Sequence, residues 1–196
     1  MMTEDTFKTS PIRFRALAFL PAALRIPVLV VAGSLVMVVC AKTTVPFWPV
    51  PMTMQVFGTF LLAGLFGGRL AASMVALYLF EGAIGLPVFA NAADGGAGFL
   101  SLVGPTGGYL AGFAAAAFVS GEWIRRAGLR GSVASVLPML VGLALIYGLG
   151  CLWLSQFVGW ANAWSVGVLP FLLGDLLKVG LAAAAVMLLT RRARRA

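Results

Sequence analysis

Histidine is absent from the 196 residues, acidic side chains number six, and charged residues of both signs make up only 10% of the chain. Without histidine there is no Ser-His-Asp triad, no imidazole-ligated metal or haem, and no imidazole proton shuttle. Cysteine is scarce as well. Cys40 and Cys151 form neither a CxxC pair nor a disulfide framework, and each reads as a small buried hydrophobe in an apolar run. A soluble domain carries about 25% charged residues, so this chain cannot cover a water-facing surface. With 61% hydrophobic residues and a mean hydropathy of +1.02, the solvent around most of it is lipid.

The basic residues that are present form a map. The net charge of +8 points away from nucleic acid, because no soluble domain and no aromatic-interleaved basic stretch holds it. Apolar spans fall at 26–41, 52–66, 70–85, 106–122, 133–156 and 169–190, which predicts an all-α integral membrane protein of six transmembrane helices. With the N-terminus inside, the cytoplasmic face receives Lys8, Arg13, Arg15 and Arg25, then Arg69, then Arg125, Arg126 and Arg130, then Arg191, Arg192, Arg194 and Arg195. Lys42 alone falls outside and Lys178 lies within a span. The positive-inside rule therefore places both termini in the cytoplasm. Residues 1–25 read as a cytoplasmic or interfacial segment; Pro21 and Arg25 interrupt what would otherwise imitate a signal peptide. Residues 26–190 form the membrane domain and 191–196 a basic tail.

Several features gather at the outer face. Pro51, Pro105 and Pro170 each precede or open an inward-running helix, as proline at a first helical position does, and helix N-termini favour an anion. The outer connections 42–51 and 86–104 are long, one rigid and aromatic, the other glycine-rich, whereas the inner turn Gly67-Gly68-Arg69 is short. Long loops in compact proteins carry binding function. Gly104, Gly108 and Gly112 make a smooth stripe, with Gly64 and Gly68 repeating the spacing; such stripes serve packing within one chain and a homo-oligomer interface alike. Neither Gly95-Gly96-Ala97-Gly98 nor GPTGGY ends in the Lys-Ser/Thr of a phosphate loop, so the chain carries no nucleotide-binding motif.

Ionisable groups inside a membrane are costly and mark function. Asp175 and Lys178 share one face of the sixth span, about 7 and 12 Å below its outer end, and Gln55 lies at about 6 Å. One reading has the pair neutralise itself with Gln55 as packing. The other has the three face a shared cavity with Asn91 and Tyr109, offering a carboxylate, an ammonium, two amides and a phenol to a small polar ligand. Glu81 and Lys42, near the outer boundary, read as a structural ion pair or as ligand contacts. An intramembrane hydrolase is disfavoured, since the GxSG-with-histidine arrangement is absent and an Asp-Lys pair is a poor hydrolase. An ion-driven transporter using Asp175 as proton carrier stays open.

The segments PVPMTMQ (49–55), AIGLPVFANAADGGAGFLSLVGPTGGYLAGF (83–113) and PFLLGDLLK (170–178) resemble the BioY family, the biotin-binding S-components of energy-coupling factor (ECF) transporters. The resemblance implies an S-component-like six-helix bundle in the bacterial cytoplasmic membrane, holding biotin near the outer face beneath its first and third loops, with no cofactor and no catalysis. It implies as partners a transmembrane coupling protein (BioN/EcfT type) and paired ABC ATPases (BioM/EcfA type), or solitary transport as in members lacking that module. Carried over, the site residues are Asp175, Lys178, Asn91, Tyr109 and Gln55, with Phe89 and Trp48 as walls. One departure is the first span: Ala32, Gly33 and Ser34 replace a clean AxxxA, and Ala18 and Ala22 have the spacing only with Pro21 between them.

Overall fold

The computed structural model describes residues 21–45, 49–90 and 98–195. Among them the chain is mostly helical. Helix α1 spans Ala22–Lys42, and strands β1 (Thr44–Val45) and β2 (Met52–Thr53) follow as a short antiparallel ladder pairing Thr44 with Thr53 and Val45 with Met52. Then come α2 (Gln55–Phe66), α3 (Gly68–Ala83), a single turn α4 (Leu100–Val103), α5 (Gly107–Arg126), α6 (Val136–Val158), α7 (Trp160–Gly167) and α8 (Leu169–Arg195).

Six of these helices fall on the six apolar spans, but not all are membrane-length. By length and composition, Ala23–Lys42, Val133–Val158 and Leu169–Ala193 suffice to cross a bilayer. Helix α2 has only 12 residues, about 18 Å at 1.5 Å per residue against a hydrocarbon core of about 30 Å. Its shortness has local causes. Pro49 and Pro51 precede it in non-helical backbone, so Pro51 does not open the helix. At its other end Gly67 adopts φ 80°, which only glycine accepts easily, and turns the chain into α3. Pro105 stands two residues before α5 and Pro170 is the second residue of α8, closer to the expected positions. The ladder and α7 are additions that the apolar pattern does not reveal. Helix α8 also continues through Arg191 and Arg192, so the basic tail begins as helix.

Helix α2 occupies the middle of the bundle, packed against α1, α3, α5 and α8. Apart from Gln55 and Thr59 it is apolar, and it is buried on nearly every side, as a helix with so little polar surface must be. The peripheral helices show the reverse pattern. Val31, Leu35 and Val39 on α1, and Leu173, Leu177 and Leu181 on α8, form exposed apolar stripes, whereas Ser34, Thr59, Ser120 and Asp175 are buried. Apolar outside and selectively polar inside is the arrangement that lipid surroundings demand.

Glycine sets how closely the elements approach. A Cβ at Gly112 would lie 2.9 Å from the Ile146 Cα, and one at Gly108 would collide with the Leu149 carbonyl and Trp153. The stripe is thus consumed by the α5–α6 contact inside the chain. Gly104 falls outside it: it precedes the helix, and its carbonyl accepts the Trp153 indole N–H at 2.9 Å. Gly64 lets Val186 of α8 approach α2, and Gly68 meets the α5 backbone at Phe118.

Gly112→Val is therefore expected to wedge α5 from α6 and cost about 1–3 kcal/mol, read as a lowered melting temperature of the purified protein in detergent. Gly148→Ala on the outward face of α6, where nothing lies within 4 Å, leaves the melting temperature where it is or slightly higher.

Candidate functional site

The N-terminal parts of α2, α5 and α8, the later half of α3 and the middle of α6, together with Pro49, Val50, Pro51, Thr53, Phe89 and Ala90, line a cavity of about 360 Å³. That volume falls in the range of small-molecule sites, about 300–1,000 Å³. Most of the lining is apolar, from Val56, Leu110, Phe113, Ile146 and Phe171, and the polar groups are few and convergent.

The pattern of α8 explains why its two ionisable residues point inward. Leu172, Leu173, Leu176 and Leu177 are exposed, leaving Phe171, Asp175, Lys178 and Val179 on the buried face. Lys178 Nζ donates to Asp175 Oδ1 at 2.7 Å, and the hydroxyl of Tyr147 on α6 donates to Oδ2 at 2.8 Å. Each carboxylate oxygen thus holds one internal partner and keeps a further acceptor position, and the ammonium keeps two donors. The self-neutralised pair and the cavity-facing pair, alternatives in sequence, coexist here: the two groups are bonded to each other and both line the cavity.

A second polar group is built from α2 and α3. Thr53 Oγ1 accepts from the Gln55 backbone N–H at 3.2 Å and donates to Gln55 Oε1 at 3.0 Å, which orients the amide. Gln55 Nε2 then donates to the Tyr78 hydroxyl at 3.0 Å, so the phenolic hydrogen of Tyr78 remains available to the cavity. Tyr109 takes a different role from the free phenol expected. Its hydroxyl donates to the Gly167 carbonyl at 2.8 Å, tying α5 to the end of α7, and its ring stands as a wall. Phe89 is buried and lines the cavity with its ring edge-on to Tyr78, centroids 5.4 Å apart at 82°.

The structure thus brings together five residues singled out from sequence: Asp175, Lys178, Gln55, Tyr109 and Phe89. Asn91 and Trp48 lie outside the described residues. Glu81 and Lys42 do not form an ion pair. Each is satisfied by a different neighbour instead: Ser34 Oγ donates to Glu81 Oε1 at 3.0 Å, and Lys42 Nζ donates to the Phe89 carbonyl at 2.8 Å. Tyr147, Tyr78 and Thr53 were not anticipated. A signal for the first two existed, since the chain has only three tyrosines, each in an apolar span where a buried hydroxyl requires a partner. All three line this cavity. Among the described residues no cluster of histidine, cysteine or acidic side chains suits a metal ion.

Known proteins share this sequence and this fold. Residues 11–195 match the BioY family. The biotin transporter BioY of Thermotoga maritima is 45% identical over 148 residues, covering 74% of this chain and 84% of its own. The probable biotin transporter BioY of Pyrococcus horikoshii is 40% identical over 151 residues, covering 77% and 85%. A crystal structure of the S-component for biotin from an ECF-type ABC transporter superposes with a TM-score of 0.75 over 86% of this chain and 92% of that one. At 23% identity that likeness speaks for the fold.

Breaking a buried ion pair on one side strands the other charge, at about 3–5 kcal/mol. Lys178→Met is accordingly expected to destabilise the ligand-free protein more than the double substitution Asp175→Leu with Lys178→Met. Unfolding of the three forms in one detergent checks the order.

Proposed function

The chain belongs to the BioY family, and on that premise we propose that it captures biotin at the outer side of a bacterial cytoplasmic membrane, as the substrate-binding S-component of an ECF-type ABC transporter. The observation that carries this reading is the cavity itself, in which Asp175, Lys178 and Gln55 converge with three tyrosines among apolar walls. Biotin offers a ureido ring with two N–H donors and one carbonyl acceptor, an apolar thioether ring, and a carboxylate tail. In the proposed pose the remaining lone pairs of Asp175 accept the ureido N–H groups. Tyr147 and Lys178 aim the carboxylate, the Tyr78 hydroxyl donates, and Phe89, Phe113 and Phe171 pack against the ring system. The helix N-termini near Thr106 and Phe171 suit the carboxylate tail.

The wider arrangement follows from charge and hydropathy. Six crossings with both termini in the cytoplasm put twelve of the fourteen basic residues on the inner side, and the cavity then opens outward. The inward and release steps fall to a transmembrane coupling protein and paired ABC ATPases, because the sequence carries no nucleotide-binding motif of its own. Membrane lipid covers the exposed stripes of α1 and α8. The protein performs no covalent chemistry, and biotin is its cargo.

Asp175→Asn replaces one acceptor with a donor, and Lys178→Ala removes the ammonium. Each is expected to weaken biotin binding at least tenfold, about 1.4 kcal/mol, in equilibrium measurements on purified protein. Tyr147→Phe is expected to lose less, because it only aims the carboxylate. Unchanged affinity in folded Asp175 and Lys178 variants removes the pair from the site, and no biotin binding by the folded wild type overturns the proposal. Uptake of radiolabelled biotin in a host without coupling modules separates the two modes of transport. Uptake that vanishes there and returns with the module supports the S-component reading, and uptake that persists assigns solitary transport.

A further inference from the structure

Lys42 is the last residue of α1, its side chain is exposed, and it has no acidic partner among the described residues. Its ammonium spends a hydrogen bond on a main-chain carbonyl 47 residues away, that of Phe89, at 2.8 Å. The Phe89 ring below that carbonyl is buried, lines the cavity, and lies over Gly82 of α3 so closely that a Cβ there would overlap the ring. Its edge contact reaches Tyr78, which is bonded to Gln55. The same end of α1 also holds the other side of the cavity mouth: the Met54 N–H donates to the carbonyls of Cys40 and Thr43, at 3.1 and 3.2 Å. One helix terminus thus grips the chain on both sides of the cavity, on one of them through a side chain.

We infer that Lys42, Phe89 and Gly82 form a latch, with Lys42 as a positioning residue that sets how long the ligand is retained and takes no part in recognising it. Lys42 does not line the cavity, whereas Phe89 does. The Lys42 ammonium is an exposed, well-hydrated point charge, so water can replace the carbonyl as its partner and free Phe89. A bond of that kind opens and recloses. Gly82 supplies the space that lets the closed position exist, since any side chain there displaces the ring.

The inference about retention rests on the biotin reading, and two measurements keep them apart. In the ligand-free protein in detergent, Lys42→Met and Gly82→Ala are each expected to raise amide hydrogen exchange across residues 86–90 while leaving α5 and α6 as protected as in wild type. Lys42→Arg, which keeps a donor, restores protection. With biotin, both variants are expected to speed dissociation about tenfold with association no slower, the pattern of an effect on the off-rate. In a Phe89→Ala background, Gly82→Ala adds nothing further, because the ring it displaces is gone. Unchanged exchange over 86–90 in both variants overturns the latch, as does faster exchange with an unaltered dissociation rate, or full additivity of Gly82→Ala with Phe89→Ala. A folded wild type that binds no biotin removes the functional reading, and the exchange comparison still decides the latch.

Discussion

Lys178 and Asp175 hold each other at 2.7 Å inside a bundle whose outside is lipid-facing leucine, and the surrounding architecture is what makes that pair tolerable. A lone carboxylate or ammonium at this depth would be neutralised or driven to the surface. Together, with Tyr147 on the second carboxylate oxygen, they are satisfied while retaining hydrogen-bonding capacity toward the cavity. Three consequences follow. Helix α8 must face one way, since a rotation would carry both charges into lipid. Helix α6 must bring Tyr147 within reach of α8. The cavity must stay largely apolar elsewhere, so that its few polar groups are not masked by competitors.

The short central helix α2 meets these demands from the other side. A full-length helix in its place would extend into the space the cavity occupies. At 12 residues, bounded by prolines before it and by Gly67 after it, it starts at the edge of the cavity and leaves room for a ligand. Thr53 and Gln55 at its start then supply polar groups to the floor of the cavity. Close contact of α5 with α6 through Gly108 and Gly112 brings Tyr109 and Tyr147 to neighbouring walls. The Tyr109 bond to Gly167 fastens the corner where α7 meets α8.

Much of the site was legible in the sequence because lipid makes charge conspicuous. In a chain with so few ionisable groups, the i, i+3 pair in PFLLGDLLK stands out, and its shared helix face follows from helical geometry alone. Gln55 and Tyr109 were legible for similar reasons, as polar groups near the ends of apolar spans, and Phe89 through the resemblance of the loop that carries it. The roles were less legible. Tyr109 was expected to offer its hydroxyl to the cavity, but a backbone carbonyl on α7, a helix hidden in the apolar pattern, takes that hydrogen. Glu81 and Lys42 read as an ion pair or as ligand contacts because both sit near one boundary, yet proximity along the membrane normal says nothing about lateral distance, and each found another partner. Tyr78 and Tyr147 escaped notice because phenols blend into apolar stretches.

By itself the sequence determined the solvent, the helical class, the excluded chemistries and the residues whose burial requires an explanation, since these depend on composition and on local periodicity. It could not determine the length of α2, the partner of Lys42, or the third member of the Asp175–Lys178 group. Those depend on which helices become neighbours, and neighbours are chosen by close approach of elements far apart in the chain, 28 residues for Tyr147 and Asp175 and 47 for Lys42 and Phe89. A hydrogen bond such as that of Lys42 to the Phe89 carbonyl has no pattern in the sequence, because every residue carries that carbonyl and only the tertiary structure decides which one is within reach.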